Sequence, residues 1–139
     1  MKLVLFTVEE ASRCAADIRP QLEQLVASKR EFDQLQDRIA VEALVIADAS
    51  PASPEAAELA RLQARRTELA ETISQGVQIV HRRGVMVKDI DRGLVDFYAL
   101  SGDRLILLCW HLGEAEVSHW HSLEGGFASR QPLNHTELD

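Results

Sequence analysis

His81-Arg82-Arg83-Gly84-Val85-Met86-Val87 is the stretch whose reading decides the fold, because the hydrophobic period changes within it. Upstream, apolar residues recur at alternating steps of four and three, the spacing of one helix face. Downstream, they fall in short runs separated by turn residues. His81, Arg82 and Arg83 suit the negative end of a helix, and Gly84 can take the left-handed cap that ends it. A run of helices followed by a run of strands indicates an α+β fold. The reading is a long antiparallel helical hairpin, kinked in its first helix, followed by a small antiparallel β-sheet.

Backwards from Gly84, the second helix carries a seam of Leu59, Leu62, Arg66, Leu69, Ile73, Gly76 and Val80. Ser53 is a good N-cap for it and Pro54 suits its first position. The break is Asp48-Ala49-Ser50-Pro51-Ala52-Ser53. The first helix opens on Thr7-Val8-Glu9-Glu10, a capping box in which the Thr7 hydroxyl takes the N–H of Glu10 and Glu10 reaches back. Its seam runs through Ala11, Ala15, Ile18, Leu22, Leu25, Phe32 and Ile39, with Lys29 and Gln36 in the gaps. Pro20 lies inside it and predicts a kink over 17–20. Residues 20–47 and 54–83 are matched rods of about 42 to 45 Å, as a hairpin requires. Leu3 to Phe6 reads as a short first strand.

Forwards from Gly84, four strands are predicted: Val85 to Val87, Leu94 to Tyr98, Arg104 to His111 and Val117 to His121. Turns at Asp91-Arg92-Gly93, Ser101-Gly102-Asp103 and Gly113-Glu114 separate them. Residues 1–133 are expected to form a single α+β domain, with the strand and hairpin in 1–84 and the β-rich part in 85–133. No period is visible after Gly125, and residues 134–139 are expected to be a disordered tail.

Composition narrows the function classes. Apolar residues make up 46% and charged residues 27%, which is ordinary for a globular protein. The net charge of −7 disfavours nucleic acid and anionic membrane, both of which need a basic footprint. Cys14 and Cys109 show no disulfide spacing, and neither a signal peptide nor a membrane span is apparent. A cytoplasmic location is the expectation. Beside its seam, helix one carries Val26, Leu35, Val41, Leu44, Val45 and Ile46, a stripe wider than one partner helix covers. That predicts a homodimer in which two hairpins make a four-helix bundle. The only helical histidine is His81, with no glutamate three residues before it, so a ferritin-like metal site is excluded.

Chemistry would have to sit in the β-rich part. Cys109, His111, His119 and His121 pair as Cys-x-His and His-x-His, each putting two donors on one strand face. Thiolate and imidazole suit zinc, with Cys109, His119 and His121 as the candidate ligands. Whether the two pairs share a face depends on hairpin register. A four-residue loop over 113–116 is slightly preferred, and it would split them. The alternative is a buried thiol, exposed histidines and two anchoring tryptophans, Trp110 and Trp120. A second constellation, Asp89, Asp96, Glu114, His121 and Arg130, could bind a ligand. If Asp96 is buried it needs a partner, and Arg130 and His121 are the natural ones. An Asp–Arg pair beside Gly125-Gly126 could hold a small anion. Cys109 could act as a nucleophile with His121 as base, although a thiol in so apolar a strand is more often inert.

Val87-Lys88-Asp89, Gly93-Leu94-Val95-Asp96-Phe97, Leu108-Cys109-Trp110, Leu112-Gly113-Glu114, Trp120-His121, Gly126-Phe127 and Arg130-Gln131-Pro132-Leu133 together resemble DUF2203, a bacterial family of unknown function. The helical half is similar in layout, including the Arg19-Pro20 pair. His111 departs from the family pattern, where an arginine is usual. The resemblance implies no established activity. The favoured expectation is a dimeric interaction or regulatory module without catalysis, its partner an unidentified protein, since no complete catalytic set is visible. The alternative is a small ligand- or metal-binding domain, with zinc the metal and hydrolysis the chemistry to test.

Overall fold

The computed structural model describes residues 3–47 and 49–133. The expected tail, 134–139, lies outside them. Two helices, α1 (Val8–Val45) and α2 (Pro54–His81), form a helical hairpin and precede five strands. These are β1 (Val85–Asp89), β2 (Leu94–Ser101), β3 (Arg104–His111), β4 (His119–His121) and β5 (Gln131–Pro132), with a 3-10 turn at Phe127–Ser129. The strands form one antiparallel sheet in the order β1-β2-β3-β4-β5. The chain divides into two compact units, one built from 3–26 with 76–133 and the other from Ala27–Gln75.

The helix signals work as the physics requires. Glu10 N–H donates to Thr7 Oγ1 at 3.1 Å and Thr7 N–H donates to Glu10 Oε1 at 2.9 Å, closing the capping box. Ser53 Oγ accepts the N–H of Ala56 at 3.1 Å. Gly84 follows α2 with φ +83, and its N–H donates to the His81 carbonyl at 2.9 Å, closing the turn. The helix continues through Pro20. In the unit Ala27–Gln75, two of the three polar interruptions of the seams meet each other, and the third, Lys29, pairs with Asp33. Arg66 Nη1 donates to Gln36 Oε1 at 2.6 Å, and Arg65 holds Glu31 through two bonds of 2.8 and 3.0 Å.

In the other unit, Ala11, Cys14, Ala15, Ile18, Leu22 and Leu25 of α1 are buried, as is Val80 of α2. A Cβ on Gly76 would lie 2.7 Å from Leu25, so only glycine permits this approach of α2 to α1. One face of the sheet is apolar, with Val95, Phe97, Leu108 and Trp110 each fully buried. Each contributes about 1.5 to 3 kcal/mol by leaving water. Phe6 packs edge-on against Phe97, and the Arg19 guanidinium lies over Trp110.

Three expectations need correction. Leu3 to Phe6 is extended but not a ladder strand. Its one backbone bond to the sheet, among the described residues, is Phe6 N–H to Tyr98 C=O at 2.8 Å. The reason is that β1 already pairs with residues 94–97, leaving only the far end of β2 open on that edge. Val117 lies outside β4, because its N–H donates to Ser12 Oγ at 3.0 Å instead of to a strand. Finally, β5 emerges from a segment with no readable period. It is two residues long, too short for alternation to show.

Candidate metal centre on the sheet face

Register decides which side chains meet. A two-residue turn at Gly102-Asp103 joins Ser101 to Arg104, and Gly102 takes the positive φ it needs. Counting back along that hairpin puts Asp96 opposite Cys109. On the next hairpin Cys109 pairs with His119 and Leu107 with His121. Cys109, His111, His119 and His121 therefore share one face with Asp96. This corrects the four-residue loop: the connection runs over 112–118. Its first part is a turn closed by Glu114 N–H to His111 C=O at 3.1 Å, with Gly113 at φ +105. The four-residue loop would need Val117 in β4, but its N–H is bonded to Ser12 of α1.

Sharing a face is not convergence. Asp96, Cys109 and His121 come together, all three buried, with one donor atom of each within 4.8 Å of the others. His121 reaches diagonally across β3, placing Nε2 3.2 Å from Asp96 Oδ1. His119 and His111 turn instead toward Glu114, with ring nitrogens 3.5 Å from its carboxylate. Glu114 is also clamped by Arg130 through two bonds of 2.9 and 3.1 Å and accepts the His111 N–H at 3.1 Å. Arg130 thus pairs with Glu114, and the expected Asp96–Arg130 pair does not form. Its guanidinium also covers the Phe127 ring at 4.7 Å and approaches Cys109 Sγ at 3.9 Å. Asp89 stays outside the cluster. Its Oδ1 accepts the Asp91 N–H at 3.0 Å, a turn-forming role.

Burial sets the electrostatics. It raises the Asp96 carboxyl above its usual range, while His121, Lys88 and the Cys109 thiol pull it back in part. It pushes the Cys109 thiol up to about 11, against the lowering influence of Arg130. Burial would raise Glu114 too, but the Arg130 bonds and the His111 N–H outweigh it and hold that carboxylate below its usual range.

The two nitrogens of His121 discriminate between chemistries. Nδ1 lies 2.8 Å from the Ser122 carbonyl oxygen, which can only accept, so Nδ1 carries a proton. In neutral imidazole the Nε2 lone pair then faces Asp96. A nucleophilic triad needs one ring nitrogen on the carboxylate and the other on the thiol. Here the second nitrogen is spent on a backbone carbonyl, and the thiol is far from ionising at neutral pH. The expected alternative of a Cys109 nucleophile with His121 as base therefore loses its geometry.

A cavity of about 150 Å³ adjoins Asp96 and His121. Leu94, Leu107, Leu123 and Phe127 give it apolar walls, and Lys88 stands at its edge. Sequence reasoning missed Lys88 and Phe127. Lys88 sits at a β-bulge, between the pairs Val87–Val95 and Asp89–Leu94, where no alternation rule assigns a face. The Asp96–Cys109 pairing, by contrast, was countable from the Gly102-Asp103 turn.

The family model described as Uncharacterized conserved protein (DUF2203) matches residues 4–133. The chain belongs to this family. The match takes in both helices, all five strands and every residue of the cluster. No curated protein and no solved structure matches this DUF2203 chain. Among the described residues, no helix is long and apolar enough to cross a membrane.

Proposed function

We propose that this DUF2203 protein is a metal-binding module whose sheet face holds one divalent ion of the zinc class between Asp96, Cys109 and His121. The observation that carries the reading is the meeting of two acceptors. His121 Nε2 and Asp96 Oδ1 stand 3.2 Å apart, with the imidazole proton already committed to Ser122. Something positive must lie between them, a second proton or a metal ion. A thiol beside the same pair favours the metal, since carboxylate, thiolate and imidazole are its usual donors. Ligands on a tetrahedral zinc lie roughly 3.3 to 3.8 Å apart, which small side-chain shifts would reach. The Nδ1–H to carbonyl bond is the outer partner that orients a metal-bound histidine. Binding would also ionise Cys109 despite its high free pKa.

Elemental analysis and calorimetry of chelator-stripped full-length protein test this. One zinc per chain is expected, with binding lost in Cys109→Ser and His121→Ala and kept in His119→Ala. Retention of zinc by both of the first two variants, or none bound by the wild type, would refute it.

The interaction reading retains separate support from the hairpin. Val41, Leu44 and Val45 of α1 are 60%, 80% and 70% exposed, in the stripe that was expected to face a second copy. Sedimentation should give a dimer mass for the wild type and a monomer for Leu44→Glu. A wild-type monomer at high concentration removes this reading.

A further inference from the structure

We infer that the metal takes a small monoanion, of carboxylate or oxyanion type, as its fourth ligand in the cavity between Lys88 and Phe127. This deepens the metal reading and rests on it. Three protein donors leave one position open on a four-coordinate ion, the arrangement of zinc sites that bind an exchangeable ligand. The cavity touches two of the three donors, Asp96 and His121. Its volume, about 150 Å³, has room for an anion of a few heavy atoms beside the donors.

Charge favours an anion over a neutral ligand. A divalent ion is balanced by the Asp96 carboxylate and the Cys109 thiolate, with His121 neutral. Glu114 and Arg130 cancel each other at 2.9 Å. Asp89 is engaged in its turn and lies 3.9 Å from Arg92. That leaves Lys88, which lines the cavity, acts on Asp96 through its charge and forms no ion pair among the described residues. The site therefore carries one positive charge in excess. Lys88 is exposed, so the cavity meets solvent at its cationic edge and the attraction for an entering anion weakens with added salt.

Cobalt(II) loaded into the full chain tests the inference in two stages. A thiolate-to-cobalt absorption band reports the metal site through Cys109. Azide and acetate are then titrated against the visible cobalt bands. Saturable shifts are expected, with affinity roughly tenfold weaker in Lys88→Ala and restored in Lys88→Arg, the difference shrinking at high salt. If the thiolate band appears but neither anion moves the visible bands, the anion site is wrong and the metal reading stands. Equal affinities in wild type and Lys88→Ala would also overturn it. Without a thiolate band, both fall together.

Discussion

The unit Ala27–Gln75 and the sheet face at Asp96 both place polar side chains among apolar ones, to opposite effect. In the hairpin the polar groups are half in water. Arg65 and Glu31 keep 47% and 44% of their side-chain surface exposed, and Lys29 pairs with Asp33 one turn on. Such pairs contribute little, because solvent already satisfies both partners. On the sheet, Asp96 and His121 are only 3% and 4% exposed, so each depends on the other. The contrast separates polar residues that are tolerated in water from polar residues that need a partner in the fold.

The comparison can be broken first at its apolar support. Trp110→Ala should destabilise the protein by about 3 to 5 kcal/mol in chemical denaturation, since the ring is fully buried behind Cys109. A much smaller loss would mean that the sheet is not backed as described.

Next comes the clamp. Arg130→Ala should cost about 2 kcal/mol at neutral pH by stranding the Glu114 carboxylate. Glu114 is depressed in the folded state, so its stabilisation exists above the unfolded value near about 4.3 and is lost as pH falls through the folded value. The gap between wild type and variant should therefore narrow below about pH 4.3. A constant gap down to acid would assign the loss to packing on Phe127 instead.

A smaller effect, opposite in sign, is expected at the pair itself. Asp96 is raised by burial, so its charged form is penalised in the fold once pH exceeds the unfolded carboxylate value. Asp96→Asn removes that penalty, and the new amide can donate to His121 Nε2. The metal-free variant should be as stable as wild type or more so, by on the order of 1 kcal/mol, while zinc no longer raises its melting temperature. A destabilised variant would make the pair a structural element rather than a ligand set.

The smallest effect belongs to the hairpin. Arg65→Ala should leave the melting temperature within error of wild type, and added salt should not change that result. A clear drop would erase the distinction between the two regions.

How much of this was legible follows from range. Capping at Thr7 and Ser53, the end at Gly84 and the seams of both helices depend on neighbours three or four residues apart, and all could be read directly. The Asp96–Cys109 pair was also within reach, because the Gly102-Asp103 turn fixes its register over a short span. His119 was grouped with Cys109 and His121 because alternation gives a face but not a direction. On that face it is Glu114, drawn in by Arg130, that captures it.

What the chain determined by itself was periodicity, capping and turn chemistry, hence two helices and then an antiparallel sheet, because each is an interaction between near neighbours. What only the tertiary structure decided was the convergence on β2, β3 and β4. Val117 is tethered to Ser12 on α1 just ahead of β4, where His121 pairs with Leu107 and reaches Asp96. A contact between residues 105 apart in the chain leaves no local trace in the sequence.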